Sequence, residues 1–338
     1  MKRSINLIAQ MANVSKSTVS RVFNHPDIVA KEKRDAVMEA SRIIGYTPNK
    51  MASALRRKGS GNIVLLRISR ENNAYWTNEK RNYWFFTEVI LQLNTYFSKE
   101  RYTLEIHSVE NLYELQSDTF KQSCDGVIVY DSVTLDEAEY IKNLGVPYVL
   151  CHRTINKRDY NHCSTDNFAG GRLLAERFIE CGYTKPAFFT DYHDPYSHEV
   201  REAGFAETFY PVTVRRYDIV KDETLLEEKT TDLIEDIKSG KIDCVGFVND
   251  FTAVRCVIMM MRLGLSIPQD IAISGYDNSP MLLTLPFTTT TVDINMGAIY
   301  TEAAKALVAL IEGSIDTIDR IVPPSLIDGE TIPYKNNR

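Results

Sequence analysis

Within the first 24 residues, the run Lys16-Ser17-Thr18-Val19-Ser20-Arg21-Val22-Phe23-Asn24 sorts its side chains by helical period. Val19 and Val22, together with the nearby Val14, supply an apolar side, and Lys16, Ser17, Ser20 and Arg21 face away from it. Cationic and hydroxyl groups presented on one helix face can donate to base edges and meet phosphates in a DNA major groove. A generic helical hairpin with a solvated polar face shows the same local pattern, so the surrounding elements must decide between the two readings.

Those elements predict a compact helical head. Ile5, Ile8, Ala9 and Ala12 recur at helical spacing and form a first helix that can cross the second. Asn13 falls at the turn, where Asn tolerates a left-handed backbone, and Ser15 stands where an N-cap is needed. Val29 to Gly45 predicts a third helix with Val37, Ala40, Ile43 and Ile44 on its apolar stripe and Gly45 as its stop. Tyr46-Thr47-Pro48 breaks the chain. Asn49 can then cap the short segment Lys50 to Lys58, which ends at Gly59-Ser60-Gly61. A helix of about two to three turns is marginal alone in water, so this one needs a partner to hold it.

Charge divides at the same place. Residues 1–61 hold 12 Lys or Arg against 4 Asp or Glu, and the remaining residues hold 27 against 41. A basic head on an acidic body concentrates phosphate affinity at one end and discourages the body from adhering to a duplex. The 338 residues suffice for two or three domains, and 44% hydrophobic with 25% charged residues is ordinary for a folded soluble protein. No apolar run approaches the roughly 18 residues a membrane span needs. The stretch after Met1-Lys2-Arg3 is too polar for a secretory segment, so a cytoplasmic chain without membrane contact is expected. Cys124, Cys151, Cys163, Cys181, Cys244 and Cys256 are scattered without CxxC pairs, each in or beside an apolar segment, which predicts buried thiols.

From residue 62 the pattern becomes α/β. Ile63 to Ile68, Tyr102 to Ser108, Gly126 to Tyr130 and Tyr148 to Cys151 read as buried strands, with helices near 83–99, 111–121 and 136–144 between them. A second set follows at Pro186 to Thr190, Val212 to Tyr217, Cys244 to Val248 and Ile271 to Gly275. Two successive parallel-sheet units make two lobes, and ligands in such folds bind outside the carboxyl ends of the strands, here in the crevice between them. Trp76 and Trp84 lie with Tyr75, Tyr83, Phe85 and Phe86 in or just after a long polar loop, Ser69 to Asn82, and aromatic faces there could stack on a sugar ring or simply fill the core.

Taken together, VSKSTVSRVFN, the IGYTPN junction, ALRRK and the long α/β body resemble the lactose-repressor and galactose-repressor (LacI/GalR) family of bacterial transcription regulators along essentially the whole chain. The resemblance implies an N-terminal helix-turn-helix domain (1–48), a hinge helix and linker (49–61), and a two-lobed periplasmic-binding-protein-like body (62–338). Lobe one would comprise about 62–163 and 294–326, and lobe two about 164–292 and 327–338. It further implies a homodimer on double-stranded operator DNA, with Lys16, Ser17 and Arg21 reading bases and Thr18, Ser20 and Asn24 nearer the backbone. Asn49 and Leu55 join that DNA-binding set, Leu55 aligning with a hinge leucine that enters the minor groove and kinks the duplex. Ala30 departs from the Ser or Thr the family usually has there, leaving the third helix's capping and phosphate contact in doubt.

In the body, Asp166-Asn167, Ala169-Gly170-Gly171, Arg201-Glu202-Ala203-Gly204-Phe205, Asn249-Asp250 and Gly275-Tyr276-Asp277-Asn278 match family stretches in order. By that match Arg201, Asp277 and Asn249 contact a small, sugar-like effector, Trp84 being a candidate stacking partner. Arg201 and Asp277 could equally form a structural ion pair. His152 stands where the family has Asp, consistent with either a different effector hydrogen bond or a core histidine. Asp328-Gly329-Glu330 replaces the Arg and Ser often found there.

The implied function is an effector-controlled repressor of carbohydrate-use genes. An activator, or a response to a non-sugar effector, fits the same architecture. No GxSxG, GxxxxGK, HExxH or CxxC spacing supports an enzyme, and no cofactor or metal is expected. His193 and His198 near Asp194 and Glu199 read as solvated loop residues. A periplasmic sugar receptor would share the body but not the DNA-reading head.

Overall fold

The computed structural model describes residues 5–24, 29–45, 59–68, 83–100, 102–151, 159–190, 195–211, 214–218 and 224–335. Asn49, Leu55 and the rest of residues 46–58, the loop 69–82 with Trp76, and His152 and His193 lie outside the described residues, as do the side chains of Ser20 and Asn24. The chain divides into two compact units, Met1–Ser60 and Gly61–Arg338.

In the first unit, α1 (Ile5–Met11), α2 (Lys16–Asn24) and α3 (Lys31–Ile44) close around Ile8, Ala9, Val19, Val22, Val37 and Ala40, with Ile8, Val19 and Val37 fully buried. Asn13 turns the chain at φ 50°, the left-handed region expected of it. The Ser15 hydroxyl accepts the Thr18 N–H at 3.1 Å and so caps α2. Gly45, at φ 61°, ends α3 by donating its N–H to Arg42 and Ser41 carbonyls. Ala30 offers no side-chain cap, and α3 begins at Lys31 rather than Val29. Ile43 is 62% exposed, not part of the buried stripe, because that face is already filled by Val37, Ala40 and Ser41 with Ile44 at its edge.

The second unit holds two parallel sheets. Six strands, β1 (Asn62–Ile68), β2 (Thr103–Val109), β3 (Gly126–Val129), β4 (Tyr148–Cys151), β5 (His162–Thr165) and β11 (Asp319–Val322), assemble in the order β11-β5-β4-β3-β1-β2. Four more, β6 (Pro186–Thr190), β7 (Arg215–Asp218), β8 (Cys244–Phe247) and β9 (Ala272–Ser274), run in the order β7-β6-β8-β9. The strands β10 (Thr291–Asp293) and β12 (Ser325–Ile327) pair antiparallel as a separate ribbon.

Helices cover the sheets: α4 (Tyr83–Glu100), α5 (Ser117–Ser123), α6 (Leu135–Asn143) and α11 (Met296–Ile311) with the six strands, and α7 (Asn167–Glu180), α8 (Pro195–Thr208), α9 (Thr224–Lys238) and α10 (Asp250–Arg262) with the four. Central strands are buried on both faces, as a sheet with helices on each side requires. On β1, Ile63 and Leu65 join one core and Val64, Leu66 and Ile68 the other.

Two expectations need correction. The β2 strand is a half-exposed edge rather than a buried strand, with Ile106 46% exposed, because it has a neighbour only in β1. The helix expected over 111–121 is instead a 3-10 turn, Leu112–Glu114, followed by α5. Asn111 caps that turn through its side chain, so the local hydrogen bond wins over helix continuation. All six cysteines are buried and none is in a disulfide. Where the family's Arg and Ser are missing, Asp328 lies 2.9 Å from Arg177 and Glu330 accepts the Thr288 amide at 2.8 Å. Gly329 is needed between them, since a Cβ would come within 2.5 Å of the Thr289 carbonyl carbon.

Candidate DNA-reading face and effector cleft

Lys16, Ser17 and Arg21 are exposed on α2 while Val19 and Val22, on its other side, are buried. Val19 and Val22 thereby fix the helix so that its cations point outward. The Ser15 hydroxyl lies 2.7 Å from that of Ser17 and 2.8 Å from that of Thr18, so Thr18, half-buried, is engaged locally. Lys16 and Arg21 form no salt bridge among the described residues. An exposed cationic helix face without carboxylate partners is available to phosphate and base acceptors.

In the body, the loops leaving β8 and β9 meet α7 and α8. Arg201, on α8 and 7% exposed, donates from Nε to Asn167 Oδ1 at 2.9 Å and from a terminal nitrogen to the Val248 carbonyl at 2.9 Å. The same nitrogen is 3.3 Å from an Asp277 carboxylate oxygen, and the guanidinium lies 3.9 Å from the Tyr276 ring centroid. Within this pair Asp277 stays 21% exposed while Arg201 is nearly enclosed. A fixed cation and a partly exposed carboxylate together match the donors and acceptors of adjacent hydroxyls.

Glycines make this arrangement possible. A Cβ at Gly171 would sit 2.0 Å from the Arg201 carbonyl oxygen, and one at Gly204 would sit 2.1 Å from that of Phe168. At Gly170 it would strike the Tyr276 hydroxyl at 1.9 Å. The α7 and α8 backbones thus touch, which brings Arg201 to Asn167.

Asp277 and Asn278 both adopt left-handed backbones, at φ 106° and 54°. Non-glycine residues hold such conformations only where neighbours over-determine them. Here the Asp277 N–H donates to the Val292 carbonyl at 2.8 Å and the Asn278 amide nitrogen to Asp293 at 3.0 Å, both acceptors on β10. Asn249, 2% exposed, caps α10 by accepting the Thr252 N–H at 2.8 Å.

Beneath them Asp250 is fully buried, accepting the Ser279 amide at 2.6 Å and the Thr291 hydroxyl at 2.9 Å. Burial, and then the nearby Asp277 charge, push its carboxyl well above the usual range against those hydrogen bonds. Trp84, half-buried, packs edge-on to Phe85 at 5.3 Å, and Phe85 and Phe86 pack against the core.

Sequence reasoning nominated Arg201, Asp277 and Asn249, and the structure brings all three to the carboxyl ends of the second sheet. It did not assign roles to Asn167, Tyr276 and Asp250, whose side chains meet residues 29 to 75 positions away; the signal was that each lies in a stretch that carries the family resemblance. Among the described residues no group of three or more His, Cys, Asp or Glu could hold a metal, and no helix is long and apolar enough to cross a membrane.

A helical DNA-reading head joined to a two-lobed α/β body defines the class of ligand-controlled DNA-binding regulators. Residues 4–49 match the family described as bacterial regulatory proteins, lacI family, and residues 175–332 match the periplasmic binding protein-like domain. The chain thus carries a lacI-family DNA-binding domain ahead of a periplasmic binding protein-like body, and its relatives are transcription regulators.

It is 29% identical to the ribose operon repressor of Halalkalibacterium halodurans, over 97% of this chain and 96% of that protein. It is 27% identical to the NTD biosynthesis operon regulator NtdR of Bacillus subtilis (strain 168), over 97% and 99%. The fold is shared with a CelR transcriptional regulator in complex with cellobiose, at TM-score 0.68 and 22% identity over 97% of this chain and 99% of that one. It is shared too with the lac repressor dimer bound to operator and the anti-inducer ONPF, at TM-score 0.67 and 19% identity over 96% and 98%.

Proposed function

We propose that this protein is a cytoplasmic homodimeric repressor of carbohydrate-use genes, whose affinity for double-stranded operator DNA is set by a sugar-like effector between the two sheets of its body. The observation that carries the reading is the Arg201, Asn167 and Asp277 arrangement: a buried cation bonded on three sides and a carboxylate left partly open above it. The ribose operon repressor and the cellobiose complex of CelR are consistent with that ligand class.

Lys16, Ser17 and Arg21 read base edges, with Thr18, Ser20 and Asn24 nearer the phosphates. Residues 49–61 act as a hinge in which Asn49 caps and Leu55 wedges the minor groove, unstacking a base step at a cost repaid by contacts on the bent duplex. Asn249 and His152 complete the effector contacts, and Trp84 borders them.

Signal transfer follows from how Asp277 is held. Its backbone is bonded to β10, and β10 leads directly into α11, which packs on β3, β4 and β5. An effector that binds one arrangement of Asp277 better than another therefore biases the position of α11, and it can shift DNA affinity only by that difference.

The test is a thermal-shift screen of neutral sugars, sugar acids and sugar phosphates, followed by operator-binding assays with fragments selected from the genome. Arg201→Ala should still bind operator yet lose its response to the effector, with effector affinity lowered roughly ten- to hundredfold for the loss of charge-assisted bonds. Loss of operator binding in that variant would assign Arg201 a purely structural role.

A further inference from the structure

The six-stranded sheet carries an arginine near the carboxyl end of a strand, and its chemistry differs from that of Arg201 on α8. Arg67 is the sixth residue of β1, on the same face as Ile63 and Leu65, and lies one position beyond Leu66, where the pairing with β3 ends. Its guanidinium lies 4.5 Å from the ring centroid of Phe86 on α4 and 5.7 Å from that of Tyr130, which follows β3.

Its Nε is buried and has no hydrogen-bond partner, and among the described residues Arg67 forms no salt bridge. The carboxylate beside Tyr130, that of Asp131, is 6% exposed and accepts the Ile68 amide at 2.6 Å. Arg201, by contrast, has acceptors in Asn167, Val248 and Asp277.

Leaving a guanidinium donor buried without an acceptor is costly, and stacking on two rings satisfies the faces of the group but not its Nε–H. The stacking also fixes the plane of the fork, so that its edge is presented in one direction. A planar array of donors suits an oxyanion with two acceptor oxygens. Ligands of parallel α/β sheets bind outside the carboxyl ends of the strands, which is where Arg67 stands.

We infer that Arg67 is a specificity-determining residue of the effector cleft and that the effector carries an oxyanion, a carboxylate or a phosphate, which Arg67 holds. This rests on the reading of the cleft as a sugar site and narrows it to sugar acids or sugar phosphates.

The experiment measures binding to the full chain by calorimetry at constant ionic strength, using matched probes: glucose, glucuronate and glucose 6-phosphate; ribose and ribose 5-phosphate. The expected result is that an anionic probe binds roughly ten- to hundredfold more tightly than its neutral parent, as a charge-assisted bond provides. Arg67→Gln should remove that advantage, and Arg67→Lys should retain part of it. The carboxylate and phosphate probes separate the two sources of the oxyanion.

Neutral and anionic probes binding equally to the wild type, with both lost in Arg201→Ala, would overturn the Arg67 assignment while leaving the sugar cleft intact. An anion advantage that survives Arg67→Gln would overturn it too. Failure of every probe to bind the wild type would overturn the sugar reading and this assignment together. Absence of selectivity in the wild type is decisive without any variant, and where Arg67→Gln does not fold, an undiminished anion advantage in Arg67→Ala or Arg67→Met would overturn the assignment in its place.

Discussion

The exposed face of α2 and the Arg201 cluster of the body use the same residue type in opposite ways. Arg21 and Lys16 are exposed and have no salt-bridge partner among the described residues, whereas Arg201 is 7% exposed and bonded on three sides. A reader of a large polyanion needs reach and spare donors, because the duplex brings the acceptors. A clamp for a small molecule needs its groups fixed beforehand, because few contacts must supply the affinity and each immobilised side chain would otherwise subtract from it. Exposure without partners thus suits a surface that meets a duplex, while full satisfaction suits one that holds a small molecule.

Substitutions can break this contrast, beginning with the clamp's support. Gly204→Ala would force a Cβ against the Phe168 carbonyl oxygen, a backbone atom that cannot swing aside. The body should lose about 3 kcal/mol of stability, read as a lower denaturant midpoint, with effector binding lost in parallel. Unchanged stability would mean that the two helices are free to separate.

Arg21→Ala, on the exposed side of the comparison, should leave the thermal midpoint unchanged. It should cost about 1–3 kcal/mol of specific operator affinity, seen as a selective loss against competitor DNA in anisotropy titrations. If stability fell instead, Arg21 would belong with the satisfied arginines. Ser15→Ala removes the cap of α2, so the head should lose about 1 kcal/mol without any change in effector binding.

The subtlest test is Asp250→Asn, where an amide can accept from Ser279 and donate to Thr291. The Asp250 carboxyl is raised in the folded state, so its contribution is fully present below its unfolded value near roughly pH 4 and is lost as pH rises through the folded value. Wild-type stability relative to the Asn variant should therefore decline from acid toward neutral pH. A difference that stayed flat would show that the carboxylate is charged and compensated throughout.

Much of the head was legible because its determinants are local. Asn13, Ser15, Val19, Val22 and Gly45 each act within a few residues, and each does what its type and spacing predicted. Ile43 is the exception, since helical period places it near the stripe and only the filled core decides that it stays outside.

In the body the alternation of strands and helices was equally clear, but the edge position of β2 and the break at Asn111 were not. An edge strand differs from a central one by what pairs with it, and the pairing partners of β1, at residues 103–109 and 126–129, are remote from it in sequence.

The sequence by itself determined the polar and apolar sides of α2 and the alternating α/β pattern, because periodicity and capping are written along the chain, and the family resemblance nominated Arg201, Asn249 and Asp277. Only the tertiary structure decided what those residues do to one another. Asn167 meeting Arg201, β10 holding Asp277 in a left-handed backbone, and Arg67 lying on Phe86 and Tyr130 without an acceptor are all contacts between segments far apart in the chain. Burial and charge compensation are properties of the enclosed volume, and the linear pattern names the groups that enter it without fixing which of them are left unsatisfied.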